Sequence, residues 1–291
     1  MTGVVSAVKR TVTDERVRTM DGNQIRVPDF KKMKRRAQKI TMLTAYDATM
    51  ARLFDRAGVD ALLVGDSVGM VVLGHETTLP VTLEAMIHHT SAVSRGTERA
   101  LVIADMPFLS YQVTISEAVR NAGRLLQEGG AAAVKLEGGR PMLDVVRRLV
   151  DVGIPVMGHL GVLPQSVHQM GGYAKRGTQP QDGDAIIAEA EALEEAGAFA
   201  IVLESIPAEL ARTVTGRVGI PTIGIGAGPD CDGQILVSYD MLGLFDRAPS
   251  FVKQYAQLGN EIVAATESYI EDVHAGRYPA APAKAVSGRT T

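Results

Sequence analysis

The chain has 291 residues, 46% of them hydrophobic and 22% charged, with 30 glycines; this is enough to bury a sizeable core and excludes a disordered tail or a mini-protein. Thirty Lys and Arg against 33 Asp and Glu leave a net charge of −3, which gives no field for a phosphate backbone and argues against nucleic acid as a partner. The single cysteine, Cys231, excludes an intrachain disulfide and a Cys-rich zinc site, and no apolar run reaches the roughly 18 residues of a membrane span, so a soluble, cytoplasmic protein is expected.

Residues 1–27 are polar and patternless and are expected to form a flexible N-terminal tail. Asp29, then Phe30, Met33 and Ala37, carry the spacing of a short helix that would close the bottom of the following fold. The basic cluster Lys31, Lys32, Lys34, Arg35 and Arg36 on that helix is read as a solvated face. From residue 40, β-branched or apolar runs alternate with Ala-, Leu-, Glu- and Arg-rich stretches of helical spacing, the rhythm of a parallel sheet. Eight strands are predicted: Ile40 to Asp47, Ala61 to Ser67, Leu101 to Pro107, Ala133 to Gly138, Pro155 to Gly161, Phe199 to Ser205, Pro221 to Gly226 and Gln234 to Asp240. Eight units match a closed (β/α)8 barrel over residues 28–278, whereas a doubly wound sheet needs fewer. The Ala- and Pro-rich stretch 279–291 is expected to be a mobile C-terminal tail.

Barrel chemistry is built where the strands end at the C-terminal rim, so polar residues there need an explanation. The second strand ends in Asp66 and Ser67, the third in Asp105, and the fourth carries Lys135 and Glu137. A period of two points Lys135 and Glu137 to the inside and Leu136 to the helices. Three acids on adjacent strand ends repel one another unless a cation or protons offset the charge. An all-oxygen donor set favours Mg2+, or Mn2+ in its place, over zinc. Each acid could instead cap a helix or pair with a rim arginine. Glu204 ends the sixth strand, away from the metal candidates, where partial burial would raise its pKa and suit a general base; a rim salt bridge is the alternative. His159 shares the inward parity of Met157 and could hydrogen-bond a substrate or serve structure alone. Gly224 to Gly228 falls short of a dinucleotide fingerprint because Pro229 stands at the third glycine position. His88 and His89, adjacent on a helix, diverge by about 100° and cannot share an ion.

Met42-Leu-Thr-Ala-Tyr-Asp47, Leu63-Val-Gly-Asp-Ser67, Ala104-Asp-Met-Pro-Phe108, Val134-Lys-Leu-Glu-Gly-Gly139, Gly158-His-Leu-Gly161, Pro164-Gln-Ser166, Leu203-Glu204 and Ile223 to Gly228 followed by Asp232-Gly-Gln-Ile-Leu236 closely resemble, in colinear order over about residues 28–278, the 3-methyl-2-oxobutanoate (ketopantoate) hydroxymethyltransferase family. The resemblance implies a single (β/α)8 TIM barrel of the phosphoenolpyruvate/pyruvate type. It also implies transfer of a one-carbon unit from 5,10-methylenetetrahydrofolate to 3-methyl-2-oxobutanoate through a Mg2+-stabilised enolate, with one Mg2+ per subunit and ketopantoate as product for pantothenate and coenzyme A synthesis. By the same resemblance Asp66, Asp105 and Glu137 serve the metal, Glu137 through water if not directly. Asp66, Ser67, Asp105 and Lys135 contact the oxo acid, His159 lies near it, and Glu204 is the proton acceptor. A cytoplasmic homo-oligomer, a decamer, is implied as well. Two departures stand out: Gly171 to Pro180 differs from the family's Val-Gln-Gly-Arg-like loop, and the acidic-His-Ser-Phe-like ending is missing after Pro279. The rival readings are another Mg2+-dependent enolate-forming lyase or mutase of the same barrel group, a Schiff-base aldolase using Lys135, and a barrel that only binds metabolites.

Overall fold

The computed structural model describes residues 24–279. Eight parallel strands close on themselves in chain order: β1 Ile40–Thr44, β2 Ala61–Val64, β3 Leu101–Asp105, β4 Ala133–Lys135, β5 Val156–Gly161, β6 Ala200–Glu204, β7 Thr222–Ile225 and β8 Gly233–Leu236. Helices α1 Val27–Arg35, α2 Ala48–Ala57, α3 Val68–Val71, α4 Leu83–Gly96, α5 Ile115–Gln127, α6 Leu143–Asp151, α7 Val167–Met170, α8 Pro180–Glu195, α9 Ala208–Arg217, α10 Ser238–Met241 and α11 Leu258–His274 account for the α-helical segments.

The strands are apolar on both faces because both are buried, as in parallel sheets covered by helices. Alternation sorts them. Ala61, Leu63, Leu101, Ile103, Met157, Val202, Ile223 and Ile235 fill the barrel, while Leu62, Val64, Val102, Ala104, Leu136, Ile201 and Leu203 pack outward against the helical ring. All eight predicted strands are present, but β2 stops at Val64 and β4 at Lys135, so Asp66, Ser67 and Glu137 lie just past the strand ends. At Asp66 and Ser67 the chain has turned off the strand, whereas the N–H groups of Leu136 and Gly138 still donate to Met157 O and His159 O of β5, at 3.2 and 3.1 Å, so Glu137 keeps the inward parity of Lys135.

The bottom is closed by α1, as its spacing predicts. The Asp29 carboxylate accepts from the Arg26 N–H at 2.9 Å and caps the first turn. Phe30 is fully buried and meets Phe199 edge-on, with ring centroids 5.5 Å apart; burial of such a ring contributes on the order of 2–3 kcal/mol. Two expectations need correction here. Lys34 is not part of a solvated face: its ammonium donates to Thr215 O and Ile220 O at 3.0 Å and pairs with Asp232 at 2.9 Å. Its partners lie on α9 and just before β7 and β8, out of reach of a local reading. Ile25 belongs to the barrel floor, buried and bonded through its N–H to Arg99 O at 2.8 Å, so residues 25–27, read as tail, are part of the barrel. The remaining tail expectations, for 1–23 and 280–291, fall outside the described residues.

α11 differs from the ring helices in having no buried residue: Ile262, Tyr269, Ile270 and Val273 are all exposed, at helical spacing along one side.

Candidate active site

A cavity of about 860 Å³ opens at the C-terminal rim, and Asp66, Ser67, Asp105, Lys135, Glu137, His159 and Glu204 all line it. The strand register places them there. Asp105 and Lys135 are direct partners across β3 and β4, so two inward side chains stand at one level, and Lys135 Nζ lies 2.9 Å from Asp105 Oδ1. His159 faces Val202, two residues before Glu204 on the same side of β6. That diagonal brings His159 Nε2 within 3.2 Å of Glu204 Oε2. Gly161 has φ +98°, and a Cβ there would lie 2.1 Å from Glu204 O. Only glycine permits this approach, through which Val162 N–H donates to Glu204 O at 2.9 Å and fixes the end of β6.

Asp66, Asp105, Lys135, Glu137 and His159 are buried, each at most 6% exposed, and Glu204 is part-exposed at the mouth. Burial raises the Asp66 pKa, and the charges of Asp105 and Glu137 add to it, up to about 8. Burial also raises Asp105, against the opposing pull of Lys135. Glu137 is pressed upward by burial but ends below its ordinary value, because His159, Lys135 and the Gln165 N–H favour its charged form. Burial disfavours the Lys135 cation, yet the charges of Asp105, Glu137 and Asp66 outweigh it and hold the amine protonated. A protonated amine is no nucleophile, which argues against the Schiff-base reading.

His159 has competing neighbours. Burial and the Lys135 charge press it towards the neutral form, while Glu137 and Glu204 prevail and raise it to about 9. Its Nδ1 lies 3.2 Å from Lys135 Nζ and 3.6 Å from Glu137 Oε1. The first contact needs Nδ1 to accept on a neutral ring, and the second needs Nδ1 to carry a proton, on either the charged ring or the Nδ1–H tautomer. Nε2 faces Glu204, although off the line of a hydrogen bond.

None of the three metal candidates pairs with a rim arginine among the described residues; Asp105 is paired with Lys135 and Glu137 with His159. Asp105 Oδ1 is buried with no hydrogen-bond partner, its Lys135 contact being an ion pair outside hydrogen-bond geometry. Three buried acids and an orphaned oxygen fit a hard cation. Among the described residues, however, no three His, Cys, Asp or Glu side chains form a preassembled metal group. The three acids share one pocket without converging as a three-carboxylate cage.

The sequence reading did not single out Gln165 or Tyr111 for roles in the site. Gln165 is bonded to Asp66, Glu137 and Tyr111, and the Tyr111 hydroxyl accepts from Glu137 N–H at 3.1 Å. Both sit outside the strands, where strand parity gives no signal, Gln165 in the 3₁₀ turn Pro164–Ser166 four residues past the end of β5. Tyr46 OH lies 2.8 Å from Ser67 Oγ and holds that hydroxyl at the rim. In the divergent 171–180 loop, Tyr173 and Lys175 line the cavity, and Arg176 and Asp182 form an ion pair. Gly226, in the failed dinucleotide pattern, has φ +62° and admits the Phe251 ring, which would lie 2.9 Å from a Cβ. The helical His89 is a packing residue whose Nδ1 is 2.7 Å from Tyr46 O.

The chain matches the ketopantoate hydroxymethyltransferase family over residues 24–281. A 3-methyl-2-oxobutanoate hydroxymethyltransferase of Moorella thermoacetica is 57% identical over 258 residues, covering 88% of this chain and 96% of that one. Its counterpart in Syntrophus aciditrophicus is 56% identical over 259 residues, covering 89% and 95%. Among solved structures, a 2,3-dimethylmalate lyase of the PEP mutase/isocitrate lyase superfamily superposes with a TM-score of 0.58 at 20% identity, covering 90% of this chain and 91% of that one. A phosphoenolpyruvate phosphomutase from Streptomyces platensis gives 0.59 at 13% identity, covering 86% and 88%. At these identities the structural likeness concerns the barrel fold.

Proposed function

The chain belongs to the ketopantoate hydroxymethyltransferase family, and from that premise we propose that it transfers a hydroxymethyl group from 5,10-methylenetetrahydrofolate to 3-methyl-2-oxobutanoate, forming 2-dehydropantoate. The observation that carries this reading is the pairing, in one pocket, of a buried acid cluster at Asp66 and Asp105 with a separate carboxylate, Glu204, beside His159.

Mg2+, one per subunit, is the cation best suited to the oxygen donors; when bound it supplies Lewis acidity to the carboxylate and keto oxygens of a 2-oxo acid. Asp66 and Asp105 would hold it directly, and Glu137, engaged by Gln165 N–H and His159, would act through water. Lys135, protonated between Asp105 and His159, offsets negative charge that develops on the oxo acid. Ser67 Oγ, held by Tyr46, offers a hydroxyl to the substrate carboxylate. Glu204 Oε2 accepts the proton from C3 of the oxo acid, with the His159 ring beside it, Nε2 lying 3.2 Å from Oε2. The carbon nucleophile then takes the one-carbon unit delivered by the folate. Overall one water is consumed, its oxygen becomes the new hydroxyl, and tetrahydrofolate leaves. Tyr173 and Lys175 from the divergent loop narrow the mouth against bulk water.

The exposed apolar side of α11 supports a homo-oligomer, in which copies of the chain would cover it, and the family resemblance points to a decamer. Among the described residues no helix is long and apolar enough to cross a membrane; together with the buried, unpaired Cys231 this supports a cytoplasmic setting.

The test is to incubate purified protein with labelled 3-methyl-2-oxobutanoate, Mg2+ and methylenetetrahydrofolate. Labelled 2-dehydropantoate should form only when the folate is present. Consumption of the oxo acid without folate, or no product with it, would refute the assignment in favour of a lyase, a mutase or a binding protein.

A further inference from the structure

Gln165 is buried, at 6% exposure, in a turn of 3₁₀ helix, Pro164–Ser166, that follows β5. Its amide is fully used. Nε2 donates to Asp66 Oδ2 and to Met106 O, both at 2.9 Å. Oε1 accepts from Tyr111 OH at 2.7 Å and from Gln112 Nε2 at 3.2 Å. The orientation is forced, since a flipped amide would set its oxygen against a carboxylate and a carbonyl, two acceptors. The backbone N–H of the same residue donates to Glu137 Oε2 at 3.0 Å. One residue thus touches acids from the ends of two different strands, 99 and 28 positions away in the chain.

We propose that Gln165 is a positioning residue for the cation site: it claims Oδ2 of Asp66 and Oε2 of Glu137 with neutral donors and so presents the other oxygen of each carboxylate to the pocket. Among the described residues Asp66 Oδ1 has no hydrogen-bond partner, and Glu137 Oε1 faces His159. The neutrality matters. A lysine or arginine here would orient Asp66 as well, but its charge would compete with a divalent ion for the same carboxylate, whereas an amide fixes geometry and leaves the negative charge available. Tyr111 completes the device. Its hydroxyl holds Oε1 of the amide while accepting from Glu137 N–H at 3.1 Å, which locks Gln165 and the β4 end to each other.

The inference rests on the reading of Asp66 as a cation ligand, and the experiment separates the two. Mn2+ is titrated into the full-length protein without either substrate, and free ion is counted by its electron paramagnetic resonance signal. Wild type should bind about one Mn2+ per subunit; no binding would overturn the cation reading itself and this inference with it. Gln165→Met keeps the side chain's length and removes both amide roles; its Mn2+ dissociation constant should rise about tenfold or more. Tyr111→Phe, which leaves the amide present but unheld, should shift it in the same direction by a smaller factor, and the double variant should be no worse than Gln165→Met alone. In turnover, Gln165→Met should need about tenfold more Mg2+ for half-maximal rate, with most of kcat recovered at saturating Mg2+. If Gln165→Met does not fold, Tyr111→Phe alone decides. Folded variants that lose thermal stability but bind Mn2+ like wild type would make Gln165 a packing residue and overturn the proposal.

Discussion

Glu204→Gln is expected to lower kcat by about 10²–10⁴-fold, the range for loss of a positioned general base, with the KM for 3-methyl-2-oxobutanoate and the affinity for Mn2+ little changed. The substitution keeps the shape and the contact with His159 Nε2, 3.2 Å away, but an amide oxygen cannot hold a proton from carbon at neutral pH. Glu204 stands apart from the acid cluster: its carboxylate lies against His159, and its carbonyl accepts from Val162 N–H. Loss of its charge should therefore leave the cation and the oxo acid in place. The decisive measurement is exchange of the C3 proton of the oxo acid in D2O, followed by NMR without folate. Exchange should be abolished in the variant, and exchange at the wild-type rate would remove Glu204 as the base.

Asp105→Asn should lower kcat/KM by at least about 100-fold, because a group that aligns both ion and substrate is lost. It should also weaken Mn2+ binding more than Gln165→Met does. Asn keeps the volume and can still accept from Asp66 N–H, which donates to Asp105 Oδ2 at 3.1 Å. What disappears is the charge opposite Lys135 Nζ at 2.9 Å. Removing one member of a buried pair usually costs about 3–5 kcal/mol. Here Asp66 and Glu137 remain to offset Lys135, and the variant relieves repulsion among three acids, so the loss of stability should be smaller. A thermal melt and a Mn2+ titration on the same sample distinguish the cases. A folded variant with an unchanged titration would exclude Asp105 as a ligand.

The fold and most of the site were legible in the sequence because both follow from period two. Continuous apolar strands identified eight staves, and parity sent Lys135 and Glu137 inward and Leu136 outward, into the outer core. What parity cannot read is chain that has left the ladder. Gln165 and Tyr111 sit in such segments, and their partners are set by three-dimensional closure. Lys34 misled for a related reason: on its helix it looks like one cation among five, but its acceptors lie 181 to 198 residues away. Spacing also overstated the acid cluster. It put Asp66, Asp105 and Glu137 on adjacent strand ends, but side-chain torsions and competing hydrogen bonds decide whether three carboxylates meet, and in this pocket Gln165 N–H and His159 engage Glu137. The unpacked side of α11 is likewise invisible to periodicity, which reports an apolar stripe without saying what covers it.

A divalent ion held by Asp66 and Asp105 would acidify C3 of the bound oxo acid. Wild-type protein is stripped with EDTA, deuterium entry at C3 of 3-methyl-2-oxobutanoate is timed, and Mg2+ is then added back to the same sample. Exchange should stop on chelation and return with Mg2+. Exchange that continues unchanged in the stripped protein would exclude the ion from the proton-transfer step.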